Sequence, residues 1–293
     1  MTNDICVLGS LVCPKDMATR LSEAVSEMLD ADYTATAAFE EPDGSWRVEF
    51  YLRDDDDAVR IREIVATAAG DEVSRAIQFE ALQARDWISK SLEGLKVVRA
   101  GRFAIHGSHD RDKIKANETG IEIEAALAFG TGHHGTTLGC LRALNEIARI
   151  HKPKRILDVG AGTAVLAIAA ARAFQSPVIA TEIDRASVAV AKENVRANRA
   201  GALVEVLHTG SLSVPVIAQY GPYDLIFANI LLPVLKALSR EIASLAAPGA
   251  NVILSGLLPS QALAALARYQ ALGFRLRKSE TIENWTTLTL RAP

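Results

Sequence analysis

Cysteines, aromatic residues and long apolar runs are all scarce in this 293-residue sequence. The three cysteines, Cys6, Cys13 and Cys140, are odd in number and widely separated, which argues for a reducing compartment and against a disulfide framework or a zinc knuckle. No segment approaches the roughly 18 apolar residues that a membrane span needs. The apolar stretch 5–13 lacks the basic flank and cleavage site of a signal peptide. We therefore expect a cytoplasmic protein that makes no contact with a membrane.

Positive charge is scarce in the first part of the chain. The first 85 residues hold 8 lysines and arginines against 18 aspartates and glutamates, whereas the residues after them hold 24 against 17. A nucleic-acid surface needs basic groups and aromatic side chains on which bases stack. The acidic balance and the few aromatic residues on the predicted strands therefore predict no direct nucleic-acid binding.

The acidic part predicts a small α+β domain over residues 1–83. Its periodicity gives the order βαββαβ, which is typical of a ferredoxin-like sandwich. The run 54–57 consists of four aspartates at the start of a predicted helix, where N-capping and the helix dipole favour acids, so no metal site is expected there. The predicted elements are strand 5–12, helix 15–29, strand 33–40, strand 46–52, helix 54–69 and strand 77–82.

Residues 84–95 predict a linker helix, and a larger α/β domain follows over residues 96–293. A strand over 97–106 and a helix over 138–150 open this larger domain. Strands and helices then alternate, which demands a parallel sheet covered on both faces and closed by an antiparallel hairpin. The predicted elements are helix 163–174, strand 178–182, helix 185–199, strand 203–208, strand 223–229, helix 233–246, strand 250–256, helix 259–270, and strands near 274–280 and 285–291.

The segment 155–170 runs from an apolar strand through a glycine turn into a helix. Gly160 and Gly162 permit a positive φ and a close approach to a ligand, and the helix presents free N–H groups at its start. Glu182 ends the next strand about twenty residues later, the separation at which a carboxylate accepts both hydroxyls of a ribose. The pattern predicts a nucleotide-type cofactor site, although similar turns occur without a ligand.

Two cofactor classes use such a site, and two residues separate them. A dinucleotide fingerprint has a third glycine where this chain has Val165. Asp158 precedes the turn, where a carboxylate would repel a pyrophosphate but would suit the positively charged amino acid group of S-adenosylmethionine. The residues therefore favour S-adenosylmethionine over NAD.

Two further segments place polar residues where an open α/β sheet binds ligands. The segment 128–137 is a glycine-rich loop before a helix, and 224–231 is an apolar strand with Asn229 at its end. Together with the glycine turn, Glu182 and the serine-glycine pair at 255–256, these segments resemble the methyltransferases of bacterial ribosomal protein L11, the PrmA family. The resemblance covers nearly the whole chain.

The resemblance implies a Rossmann-like class I S-adenosylmethionine methyltransferase domain preceded by a smaller ferredoxin-like domain that recognises the substrate. The family usually has a glycine at the position of Ala164 and threonine-histidine-proline at 133–135, where this chain has His-His-Gly. The positions that match the family's S-adenosylmethionine site are Thr137, Gly160, Glu182 and Asn229. The residues themselves add Asp158, Gly162 and Phe129 to this site, together with Gly130 and Thr131 near the methyl end.

Two of these residues have further expected roles. We expect Thr137 to cap the helix that follows it. Asn229 has two possible roles: contact with the cofactor alone, or acceptance of a hydrogen bond from the substrate amine through its side-chain oxygen.

The resemblance implies a protein N-methyltransferase that transfers methyl groups from S-adenosylmethionine to lysine or N-terminal amines of a ribosomal large-subunit protein. Ribosomal proteins are basic, and an acidic domain attracts such a partner over long distances. Two alternatives stay open: an S-adenosylmethionine-dependent enzyme acting on another protein or a small amine, and a non-catalytic ribosome-associated module. Glu182 and Asn229 argue against the last of these.

Overall fold

The computed structural model describes residues 5–28, 35–41, 44–52, 55–83, 97–123 and 134–293. They form two compact units, one up to residue 83 and one from residue 97 onwards. The predicted linker helix 84–95 and the site residues Phe129, Gly130 and Thr131 lie outside the described residues. Within the described ranges, no helix combines the length and hydropathy that crossing a bilayer requires.

The first unit is an antiparallel sheet with helices packed against one face. Its described strands have the order β2-β3-β1-β4, which is that of a ferredoxin-like sandwich and agrees with the prediction. The sequence does not predict α3, because six residues are too few to show a helical period. The elements are β1 (Ile5–Cys13), α1 (Lys15–Met28), β2 (Ala35–Glu40), β3 (Trp46–Leu52), α2 (Asp55–Ala69), α3 (Asp71–Ala76) and β4 (Gln78–Gln83).

The core of the first unit follows from the two-residue period of β3. Val48, Phe50 and Leu52 are almost fully buried, while the intervening Arg47 and Glu49 are partly exposed. The buried face packs against apolar residues of the two longer helices, namely Ala18, Leu21, Val25, Ile61, Ile64 and Val65. The opposite face of the sheet carries the charged residues.

The second unit begins with a small sheet that the sequence predicts only in part. The predicted strand 97–106 is wrong as a single element, because Gly101 adopts a φ of +61° and turns the chain back on itself. Two short strands result, with Ala100 opposite Phe103. The elements are β5 (Val98–Ala100), β6 (Phe103–His106), a 3₁₀ helix (Ser108–Lys113) and β7 (Thr119–Glu122).

The large sheet has the strand order β10-β9-β8-β11-β12-β14-β13 among the described residues. Neighbouring strands are parallel as far as β12, and β14 is antiparallel to both of its neighbours. This is the Rossmann-like α/β arrangement with a terminal hairpin that the sequence predicts. The elements are α4 (His134–Ile150), β8 (Ile156–Val159), α5 (Val165–Phe174), β9 (Val178–Glu182), α6 (Arg185–Ala197), β10 (Val204–His208), α7 (Pro215–Tyr220), β11 (Tyr223–Asn229), α8 (Leu232–Leu245), β12 (Ala246–Leu257), α9 (Pro259–Gln270), β13 (Arg275–Ile282) and β14 (Trp285–Arg291).

The buried Asn198 fastens the small sheet to the large one. Its Oδ1 accepts a hydrogen bond from the Glu122 N–H at 2.9 Å, and its Nδ2 donates to the Glu122 carbonyl at 2.6 Å, so the amide pairs with β7 as a neighbouring strand would. Arg172 of α5 donates to the carbonyls of Gly120 and Asn198. Side chains, rather than a continuous ladder of backbone bonds, therefore hold β7 to the helices of the large sheet.

We predict that Asn198→Ala lowers the free energy of unfolding by about 2–3 kcal/mol, because it leaves both backbone groups of Glu122 without these partners. Thermal melting measures the change, with Asn117→Ala as the control, since Asn117 is exposed in the turn just before β7. An Asn198→Ala protein that melts at the same temperature as the control would show that the hydrogen bonds of Asn198 to Glu122 do not stabilise the fold.

Candidate functional site

Adjacent parallel strands of the large sheet end at one edge, and polar residues lie at their ends. The pairing places Val159 opposite Thr181 and Asn229 opposite Ser255. Glu182 therefore ends β9 and Asn229 ends β11, on either side of the turn that follows β8. Parallel α/β sheets bind their ligands at this edge.

The turn after β8 has the backbone conformation that the sequence predicts for its glycines. Gly160 and Gly162 have φ values of +68° and +53°. A Cβ atom on Gly160 would collide with the side chain of Ile230, whereas a Cβ on Gly162 would meet no atom within 4 Å. The turn thus packs against the end of β11 on one side and borders open space at Gly162.

The helix after the turn begins later than predicted. Ala164 is also left-handed, with a φ of +63°, so α5 begins at Val165 and not at residue 163. A left-handed conformation costs a residue with a Cβ roughly 1–2 kcal/mol, so Ala164 is a strained position of the turn. The sequence gives no signal for the delay, because alanine is a strong helix former.

Glu182 is held in place by backbone N–H groups of its surroundings. Its Oε2 accepts from Gly162 at 2.9 Å, and its Oε1 accepts from Ile183 at 2.7 Å and Asp184 at 3.0 Å. An ionised carboxylate has about four acceptor positions, so further acceptor capacity is available for a ligand. The side chain is partly exposed and spans the gap between the ends of β8 and β9.

Asp158 lies directly beneath the turn and is 1% exposed. Its Oδ2 accepts a hydrogen bond from the Ala167 N–H at 3.0 Å, so the carboxylate caps the first turn of α5. Burial raises the pKa of Asp158 to about 7; the Ala167 N–H opposes this rise, and the negative charge of Glu182 adds to it. Burial therefore shifts this carboxyl towards its neutral form.

Asn229 contacts the start of α4 through its side-chain amide. Its Nδ2 donates to the Thr136 hydroxyl at 3.3 Å. The prediction that Thr137 caps α4 is wrong, because the helix begins at His134 and Thr137 lies inside its first turn. Thr137 is partly exposed and immediately follows the buried Thr136.

Comparison with known proteins decides the family. A family model described as Ribosomal protein L11 methyltransferase (PrmA) matches residues 15–293. This chain belongs to the PrmA family. This membership confirms the predicted fold class, a ferredoxin-like domain followed by a Rossmann-like class I methyltransferase domain. The strand orders of the four-stranded and the seven-stranded sheet agree with it.

Individual PrmA-family proteins are similar over most of the chain. The Ribosomal protein L11 methyltransferase of Rhodopseudomonas palustris strain BisB5 is 51% identical over 291 residues, which cover 99% of each chain. That of Bradyrhizobium diazoefficiens is 47% identical and covers 94% of this chain and 93% of the relative. The crystal structure of a ribosomal protein L11 methylase from Lactobacillus delbrueckii subsp. bulgaricus superposes with a TM-score of 0.58 at 26% identity, covering 68% of this chain and 97% of that one.

Sequence reasoning misses a group of hydroxyls beside Asn229 in this PrmA-family chain. Ser255 donates to the Thr136 carbonyl at 3.3 Å, and the hydroxyls of Ser255 and Thr287 lie 2.9 Å apart. These residues are far apart in sequence, so no local pattern reveals the contact. The available signals were the segment 128–137 and the serine-glycine pair at 255–256, which indicated the family but no interaction.

We predict that Asp158→Asn changes the pH dependence of stability. The folded-state pKa lies above the unfolded value of about 3.9, so the folded chain holds an extra proton between about pH 4 and 7 and loses stability as the pH rises through that range. Asparagine resembles the protonated acid and removes this loss. The stability of the variant relative to the parent should rise by about 2–3 kcal/mol from pH 5 to pH 8 in urea unfolding.

The control for this experiment is Asp112→Asn, because Asp112 is exposed on the 3₁₀ helix. Its stability difference from the parent should be nearly the same at both pH values. A difference for Asp158→Asn that is equally independent of pH would contradict the buried, proton-holding state of Asp158.

Proposed function

We propose that the protein transfers methyl groups from S-adenosylmethionine to lysine or N-terminal amines of ribosomal protein L11. The observation that carries the proposal is the placement of Glu182, fixed by backbone N–H groups at the end of β9 and facing the glycine turn. Membership of the PrmA family and the names of its similar proteins support the substrate. Because L11 is a ribosomal protein, the cytoplasm is the proposed location.

The site suits a cationic nucleoside cofactor. Glu182 offers a negative acceptor for ribose hydroxyls. Gly162 borders open space, because a Cβ atom built on it would have no neighbour within 4 Å. Asp158 adds negative potential beneath the turn when it is ionised, which favours a positively charged ligand. The proposed S-adenosylmethionine contacts are Phe129, Thr137, Asp158, Gly160, Gly162, Glu182 and Asn229, with Gly130 and Thr131 at the methyl end.

S-adenosylmethionine supplies an electrophilic methyl group on a sulfonium. The protein must therefore hold a neutral amine in line with that group, about 3 Å away, which is chiefly a matter of positioning. A lysine amine with a pKa near 10.4 is mostly protonated at neutral pH, and an α-amine near 7.7–8.0 is less so. Burial beside a positive charge disfavours the ammonium form, so no side chain of the protein is required as a base.

Asn229 is the residue we propose to position the amine. Its nitrogen faces the Thr136 hydroxyl, which directs its side-chain oxygen the other way. An amide oxygen accepts a hydrogen bond from a neutral amine and leaves the nitrogen lone pair available for the methyl group. The Asn229 side chain is partly exposed at the strand edge, as this role requires.

We further propose that the acidic first unit recognises the basic substrate. Glu49 and Glu80 pair with Ser10 and Leu8 of the central strand β1, so both project from the sheet face opposite the helices. On the described strands this face carries Glu49 and Glu80 together with Arg47, so negative charge exceeds positive charge there.

We predict that Glu182→Ala weakens S-adenosylmethionine binding at least about tenfold, because a charge-assisted hydrogen bond contributes on the order of 1.5–3 kcal/mol. Glu182→Asp, which keeps the charge with a shorter reach, should have a smaller effect. Calorimetry measures the dissociation constants, with Glu205→Ala as the control, since Glu205 is exposed on the neighbouring β10. Binding by Glu182→Ala that matches the control would remove the ribose contact from the proposal.

A second prediction tests recognition by the first unit. Glu80→Lys should lower kcat/KM for L11 about threefold at low salt, because it reverses a charge on the proposed recognition face. The effect should fade at high salt, where the Debye length shrinks to about 3 Å, and S-adenosylmethionine binding should not change.

Glu205→Lys is the matched control for this charge reversal, because it makes the same change at an exposed position of β10 in the second unit. Equal effects of Glu80→Lys and Glu205→Lys on kcat/KM would contradict recognition by the first unit. They would leave methyl transfer itself untouched.

A further inference from the structure

A buried polar cluster joins the start of α4 to the ends of three strands. Thr136 comes from α4, Asn229 from β11, Ser255 from β12 and Thr287 from β14. Thr136, Ser255 and Thr287 are 1%, 0% and 4% exposed, so water does not compete for their hydrogen bonds. We define these four residues as the hydroxyl cluster.

The cluster forms a chain of contacts that ends at Asn229. The hydroxyls of Thr287 and Ser255 lie 2.9 Å apart, and Ser255 donates to the Thr136 carbonyl at 3.3 Å. The Thr136 hydroxyl in turn accepts from Asn229 Nδ2 at 3.3 Å. A Cβ atom on Gly139 would collide with the Thr287 hydroxyl, so α4 lies directly on β14 and leaves the cluster little room to shift.

We propose that Thr136 is a positioning residue that fixes which end of the Asn229 amide faces the substrate amine. The two ends of an amide have nearly the same shape but opposite hydrogen-bonding character. With the nitrogen on Thr136, the oxygen is directed towards the strand edge, where it accepts from the amine. Without the hydroxyl, the amide can turn and present its nitrogen, which repels the hydrogens of the amine.

Burial makes this control effective. A hydrogen bond in a low-dielectric interior is electrostatically stronger than one in water, and a buried amide group left unpaired is costly. Ser255 fixes the backbone at Thr136, so the hydroxyl meets Asn229 in a set direction. The proposal rests on the function proposed above, since it assigns a purpose to the orientation of Asn229.

The test compares Thr136→Val, which keeps the shape but removes the hydroxyl, with Thr136→Ser, which keeps the hydroxyl. For methylation of L11, Thr136→Val should lower kcat about tenfold while KM for L11 and the S-adenosylmethionine dissociation constant change less than twofold. Thr136→Ser should restore most of kcat. Thr119→Val on β7 is the control and should leave kcat unchanged.

Two further measurements show whether the effect passes through Asn229. The double variant Thr136→Val/Asn229→Ala should be no slower than Asn229→Ala alone. The side-chain ¹H–¹⁵N signal of Asn229, identified by its loss in Asn229→Ala, should shift in Thr136→Val and return in Thr136→Ser.

Three results would overturn the proposal: full kcat in Thr136→Val, an equal loss in both Thr136 variants, or an Asn229 signal that does not respond. If instead the parent protein fails to methylate L11 while the Asn229 signal responds as expected, the orientation by Thr136 stands and the proposed function fails.

Discussion

The hydrogen bond from the Gly162 N–H to the Glu182 carboxylate joins the turn after β8 to the end of β9, and the rest of the site is arranged around it. The same carboxylate accepts from Ile183 and Asp184, so its orientation is fixed on the β9 side. On the other side, Gly160 lies against Ile230 and sets how closely β11 approaches the turn. Asn229 precedes Ile230, so the distance between the two polar ends of the site is determined by this packing.

Asp158 caps the helix that follows the turn, and burying its carboxyl group costs free energy. The helix α5 is buried along nearly its whole length, so its first turn has little access to water and needs an internal acceptor. Asp158 supplies that acceptor to Ala167, in a position where burial and the charge of Glu182 both oppose its ionisation. Capping of α5 and the proposed attraction of a cationic cofactor therefore make different demands on one carboxyl group: the neutral acid is cheaper to bury, and the charged form suits a cation better.

The positions of Glu182 and Asn229 could be predicted because they depend only on the order and direction of the strands. Apolar strands that alternate with helices give a parallel sheet, and the carboxyl ends of neighbouring parallel strands lie at one edge. The late start of α5 could not be predicted, because it depends on a left-handed Ala164 and alanine gives no local signal for that conformation.

The contacts within the hydroxyl cluster could not be predicted either, for a different reason. Thr136 and Ser255 are separated by 119 residues, and single hydroxyls in buried segments have no periodicity to reveal a partner. By contrast, the turn at Gly101 could have been predicted, since a glycine inside an apparent strand favours a break in that strand. Contacts set by tertiary packing are thus the part that sequence patterns do not contain.

One physical property, the exclusion of water from the buried side of the strand ends, underlies three features of the site. It raises the pKa of Asp158 by disfavouring the carboxylate. It strengthens the contact between Thr136 and Asn229, because the Thr136 side of that contact is buried. In the proposed reaction it also disfavours the ammonium form of the incoming amine, which must be neutral to accept a methyl group. The apolar packing of β8 and α5 therefore contributes to the chemistry as well as to the fold, since it sets the dielectric environment in which these polar groups act.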